Sequence, residues 1–169
     1  MNLYFRLLKL ILSRFFFKKS LKLLDISVVT GRVWPTDLDN NIHMNNGRYL
    51  TIMDLGRFDW ILSGGFLGLC FKNRWFPIVG ALKILYLKPL KPFQKFELKT
   101  RILGWDAKWI YVEQVFEVKG VLCSKSILQG LFHGPEGKVP TQKWLKAVGF
   151  TQKSPKLPAD VRAWLRSSK

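Results

Sequence analysis

Between residues 95 and 102 polar and apolar side chains alternate strictly enough to dictate β structure. Lys95, Glu97, Lys99 and Arg101 interleave with Phe96, Leu98, Thr100 and Ile102, and a period of two puts one set in water and the other against a core. Gly104-Trp105-Asp106-Ala107 then turns into residues 108–118, and Lys119-Gly120 turns into residues 121–132. Three consecutive strands joined by short turns make an antiparallel meander. Its apolar face needs a cover.

The cover is a helix. Asn45 or Asn46 caps it, Gly64-Gly65 stops it near residue 62, and it carries Tyr49, Ile52, Met53, Gly56, Phe58 and Trp60. That is more apolar surface than a solvent-facing helix needs, so a sheet should bury it. Residues 26–34 read as a first strand, and residues 76–87 as a near-continuous apolar strand, of the kind buried on both faces, ended by Pro89 and Pro92. One strand, one long helix and then a run of strands predicts an α+β domain whose curved antiparallel sheet wraps round a central helix.

The chemistry concentrates at the start of that helix. Residues 37–49 read Asp-Leu-Asp-Asn-Asn-Ile-His-Met-Asn-Asn-Gly-Arg-Tyr, with two acids, four amides and one of only two histidines. Asp39, Asn41 and His43 stand at alternate positions, so an extended stretch would project all three to one side. The helix that follows would place unpaired backbone N–H groups beside them. A carboxylate next to a helix N-terminus suits attack by water on a carbonyl. Asp37 and Asn40 also read as turn residues, whose side chains bond nearby backbone amides. Two ionisable groups spaced as Asp39 and His43 exceed what a turn requires.

Asp37-Leu38-Asp39, Asn41, His43, Asn45-Asn46 and Tyr49 resemble the signature of hotdog-fold acyl thioesterases, bacterial long-chain acyl-CoA and plant acyl-carrier-protein enzymes included. Lys91-Pro92-Phe93, Leu103-Gly104-Trp105-Asp106 and Leu157-Pro158-Ala159-Asp160 look like the thioesterase superfamily member 6 group, so the resemblance covers most of residues 24–166. It implies the hotdog fold, hydrolysis of fatty acyl-CoA or acyl carrier protein (acyl-ACP), and a homodimer or homotetramer with sites at subunit boundaries. It also implies that Asp39 is catalytic, as general base or as a nucleophile forming a mixed anhydride. Asn41 and His43 carry over from the plant enzymes' pattern as its catalytic partners. Asn45, Asn46, Gly47 and Tyr49 fall on the substrate-binding and oxyanion side. The rival of another class is a non-catalytic, membrane-associated acyl-binding or scaffold protein on the same fold. Hydration of enoyl thioesters also occurs on it, with a different Asp/His spacing.

Composition narrows the setting. Cys70 and Cys123 lie far apart outside any metal spacing, and the two histidines are 90 residues apart, so a reducing, cytoplasmic environment is expected, with no disulfide, metal or cofactor. The net charge of +17 is carried mainly by residues 1–22 and 138–169 around a nearly balanced middle. With no RNP, helix-turn-helix or zinc-finger pattern, that distribution argues against nucleic acid and for an anionic ligand or surface. His133, after the last strand, reads as a strand-end residue, Cys123 as core, and Asp54 with Arg57 as a helix ion pair that could edge the site.

Residues 1–22, 23–137 and 138–169 divide into a basic amphipathic helix, the hotdog domain and a basic C-terminal tail. Leu and Phe dominate residues 1–17, but Arg6, Lys9 and Arg14 interrupt them, which rules out the roughly 18 apolar residues of a spanning helix. On a helix Asn2, Arg6, Lys9 and Ser13 share one narrow polar face. It could lie peripherally in a membrane interface, with Lys18, Lys19 and Lys22 near anionic head groups. Packing on its own domain or a partner remains open, as does a signal peptide, although Phe15-Phe16-Phe17-Lys18-Lys19 is a poor cleavage site. In the tail, residues 160–165 should make a short helix that docks Trp164 and Leu165.

Overall fold

Helix α1 spans Asn2–Phe16, β1 Ser27–Arg32, α2 Asn46–Ser63, α3 Leu67–Asn73 and β2 Phe76–Tyr86. Next come β3 Lys95–Trp105, β4 Ile110–Val118, β5 Val121–Gly134, β6 Gly137–Val139, α4 Thr141–Ala147 and α5 Ala159–Ser167. The structure, a computed structural model, describes residues 2–17 and 20–167. Lys18, Lys19 and the Asn2 side chain, invoked above for a polar face and head-group contacts, lie outside what is described.

All strands pair antiparallel in the order β1-β3-β4-β5-β2, with β6 on β5. The meander appears as the alternation predicts: along β3, Phe96, Leu98, Thr100 and Ile102 are buried. They meet α2. Its first half sets Tyr49, Ile52 and Met53 against Leu98 and Phe116, and its second half sets Trp60 and Ile61 against Ile102, Ile110 and Phe132. The sheet therefore closes round α2 as the hotdog expectation requires.

Three features depart from the sequence reading. Strand β2 is an edge strand, largely exposed along its length, because only β5 pairs with it. Its apolar run is not the mark of a strand covered on both faces. Residues 67–73 form a helix, closed by Arg74 in the left-handed region at φ 54°. The segment after residue 137, expected as an appended basic tail, contributes a strand and a core helix. Strand β6 pairs with β5, and α4 buries Trp144 and Leu145 in the main core, where the Trp144 ring stacks on Phe132 at 5.0 Å. Helix α5 buries Val161 and brings Trp164 and Leu165 against Tyr111 and Ile127, as expected.

Helix α1 packs on α2 and sinks Leu10. The expected polar stripe is divided. Its Arg6 turns inward, as does Arg14 outside the stripe, whereas Lys9 and Ser13 stay in water and Tyr4, Phe5, Leu8, Leu12, Phe15 and Phe16 are exposed. Among the described residues no helix is long and apolar enough to cross a membrane.

Because Trp144 fills core volume against Phe132, Trp60 and Phe66, Trp144→Ala should cost about 3–5 kcal/mol of stability. Urea unfolding measures this; an unchanged midpoint would mean that residues 138–150 are dispensable to the fold.

Candidate active site

The polar string is not extended. After a 3-10 turn over Pro35–Asp37, an isolated bridge between Leu38 and Met44 closes a tight loop, with Asp39 N–H donating to the His43 carbonyl at 2.9 Å. Inside the loop the Asp39 Oδ1 accepts the backbone N–H groups of Asn41 at 2.9 Å and His43 at 3.4 Å. A carboxylate that collects nearby amides makes a turn in place of a strand, so the alternate-position geometry expected of Asp39, Asn41 and His43 does not occur. Ile42 completes the reversal at φ 58°. A β-branched residue there is an outlier, strained by about 1–3 kcal/mol.

Asp39 and His43 are partly exposed and Asn41 is exposed. Among the described residues no hydrogen bond or ion pair joins the His43 imidazole to the Asp39 carboxylate. The loop is fastened on both sides. Met44 N–H donates to the Leu90 carbonyl, and Asn45 N–H to the Asp37 carbonyl.

Helix α2 starts immediately afterwards. Asn45 is the N-cap, its Oδ1 accepting Gly47 N–H at 2.8 Å while Arg48 N–H reaches its carbonyl. Among the described residues the Asn46 N–H has no protein acceptor, and it stands at the positive end of an 18-residue helix. The Tyr86 hydroxyl donates to the Asn46 carbonyl at 3.1 Å, tying the end of β2 to this turn. Tyr49 is only 2% exposed, and its hydroxyl oxygen accepts Leu90 N–H, so it props the residue 88–93 segment from inside the core. Burial pushes its phenol pKa up, and the nearby charges of Tyr86 and Asp39 add to that.

Two arginines reach the domain from α1. Arg6 pairs with Asp37, a carboxylate 1% exposed that also accepts Trp34 N–H. Arg14 forms a two-pronged pair, at 2.5 and 3.0 Å, with Asp59, which is fully buried on α2 and also takes the Ser27 hydroxyl. Sequence reasoning missed both pairs. Their only signal is the spacing of eight between the arginines, which keeps them on one helix face.

Asp54 and Arg57 do pair along α2, and Arg57 also donates to Gln114 Oε1 at 2.6 Å. Burial draws the Arg57 guanidinium below its usual pKa, against the pull of Asp54. His133 stands at the end of β5 with its ring 5.3 Å from that of Phe76. Both cysteines are free thiols, and Cys123 is buried on β5, which raises its pKa.

A sequence profile of the thioesterase-like superfamily matches residues 33–165. Protein THEM6 of Danio rerio is 39% identical over 113 residues, covering 61% of this chain and 54% of the relative. The chain therefore spans little more than half of that relative's length. Among solved structures, the probable thioesterase YbaW of Escherichia coli superposes with a TM-score of 0.67 at 16% identity, over 72% of this chain and 94% of its own. A Staphylococcus aureus protein solved in complex with CoA has a TM-score of 0.62 at 16% identity, over 85% of this chain and 96% of its own. At such identities the likeness is one of fold.

Removing one partner of a buried ion pair leaves the other charge stranded, at about 3–5 kcal/mol. Arg14→Met should lower stability by that amount, and Arg14→Met with Asp59→Leu should recover most of it. Lys9→Met, on the exposed side, should stay within about 0.5 kcal/mol of wild type. Equal urea midpoints for Arg14→Met and Lys9→Met would rule out the inward clamp.

Proposed function

The chain belongs to the thioesterase-like superfamily, and from that premise we propose that it hydrolyses fatty acyl thioesters of CoA or acyl carrier protein to the free acid and thiol. The observation that supports this reading is that the Asp39 loop runs directly into the start of α2, where the Asn46 N–H is uncommitted. Asp39 Oδ1 is held by two amides, which leaves Oδ2 to take a proton from water or to attack the carbonyl itself. Either attack puts negative charge on the thioester oxygen. Asn46 N–H, reinforced by the helix dipole, stabilises it. The Gly47 amide joins only by leaving the Asn45 cap. Collapse of the adduct breaks the C–S bond; on the base route the departing thiolate takes back the proton that Asp39 drew from water, and on the anhydride route it takes one from solvent and a water then cleaves the anhydride to the free acid and the Asp39 carboxylate. His43 and Asn41, on the open side of the loop, are its polar flank, and the strained Ile42 fits a loop shaped for chemistry.

The excess of cationic side chains suits the phosphates of either carrier. The exposed edge of β2, with Phe76, Ile78 and Val79 in solvent, supports a homodimer or homotetramer. The outward face of α1 favours peripheral attachment to an anionic membrane, compatible with hydrolysis and also with a non-catalytic acyl-binding role.

Thiol release from acyl-CoAs and acyl-ACP tests the reaction. Asp39→Asn should lower kcat/KM about 10²- to 10⁴-fold. Asn46→Pro removes the proposed donor at the first helical position, where proline is welcome and where Asn45, at φ −57° and ψ 138°, already has the backbone that proline demands of its predecessor. It should cost about 10²- to 10³-fold in kcat at unchanged Tm. Wild-type rates in both variants would reject the mechanism, and no turnover by wild type on any acyl thioester would favour the acyl-binding alternative. For the membrane, Phe5→Glu, Leu12→Glu and Phe16→Glu together should abolish co-sedimentation with phosphatidylserine liposomes; undiminished pelleting counts against α1 as the contact.

A further inference from the structure

A cavity of about 320 Å³ lies between α2, the Pro77–Val79 end of β2 and the inner face of the sheet at Val112 and Leu128, within the size range of ligand pockets. Its fourth side is α1, through Leu3, Tyr4 and Leu7. The lining is almost wholly apolar. Of its charged groups, Asp54 and Arg57 pair with each other, Arg57 also donates to Gln114, and Arg101 pairs with Glu113, so it offers no unpaired charge to a ligand.

We propose that this cavity takes the tail of the acyl chain and that α1, which lies outside the superfamily profile, sets the chain length accepted; the proposal rests on the thioesterase reading for where the acyl head sits. Tyr86 is bonded to Asn46 at one end of α2, while Pro77 and Ile78 face Phe58 and Ile61 towards the other. Helix α2 and β2 thus run side by side from the Asp39 loop to the cavity. With a rise of about 1.5 Å per residue, the cavity begins at Asp54 about 12 Å from Asn46 and ends at Ile61 about 22 Å away. Tetrahedral carbon bonds of about 1.5 Å advance an extended chain by about 1.3 Å per carbon. A chain held by its carbonyl at Asn46 N–H therefore enters the cavity at about ten carbons and fills it at about eighteen. Acetyl and butanoyl groups never reach it. The wall is also fixed in place, because Arg6 and Arg14 fasten α1 to Asp37 and Asp59 at two points eight residues apart.

The test compares wild type, Leu7→Trp, Ile78→Trp from the opposite wall, and Leu12→Trp from the outward face of α1, with Tm recorded for each. The readout is the ratio of kcat/KM for hexadecanoyl-CoA to that for hexanoyl-CoA. It should fall at least tenfold in Leu7→Trp and Ile78→Trp and stay within twofold of wild type in Leu12→Trp. A parallel measurement, displacement of cis-parinaric acid by hexadecanoic acid, reads the cavity without turnover and should weaken tenfold in the same two variants. Unchanged ratios and displacement, or losses equal at both chain lengths, would overturn the proposal. Absent turnover with the displacement pattern intact would remove the thioesterase reading and leave the cavity assignment standing.

Discussion

At Gly56 helix α2 comes so close to the sheet that a methyl group there would lie 2.7 Å from both Leu98 Cδ2 and Thr100 Oγ1. The buried Gln114 amide exploits the closeness, donating to the Met53 carbonyl at 2.8 Å and to Thr100 Oγ1 at 3.0 Å while accepting from Arg57. With its oxygen and nitrogen both partnered, the amide stays in the core at no unmet cost and specifies one seating of helix on sheet. The Asp39 loop hangs from the start of α2 and the cavity opens along its second half. A shift in that seating would move both together.

The meander and the cap of α2 are legible in the sequence because each is decided locally: a period of two assigns faces, and Asn45 needs only the amide two residues on. The loop at residues 39–43 is not. Alternation assumes a strand, whereas the Asp39 carboxylate competes for the same backbone amides and wins. Composition marks β2 as apolar but does not say which neighbours cover it, and only the strand order shows that one edge is bare. Helix α4 hides among lysines and prolines because the burial of Trp144 depends on Phe132 and Trp60, remote in sequence. The candidate site is legible as a list of residues around Asp39, but its division of labour is not. That Gly47 N–H is spent on the cap and Tyr49 on the core follows only from three-dimensional contacts.

Helix α1 inverts the usual economy of an amphipathic helix. Its guanidinium groups face inward because two buried carboxylates there would otherwise be stranded, and several of its aromatic rings face outward. The two ion pairs fix the helix to the domain beside the buried Leu10, and its outer surface stays exposed.

Arg14 and Asp59 are separated by 45 residues, a distance that is also an interval. At about 5–20 residues per second of synthesis, α1 leaves the ribosome some 2–9 seconds before the carboxylate it must neutralise. For that time its leucines and phenylalanines have neither helix α2 nor sheet to shelter them. The nascent chain therefore presents the sticky, cationic α1 before the carboxylate that pairs with it, and whatever meets that helix in the interval, chaperone or lipid, has an early claim on it.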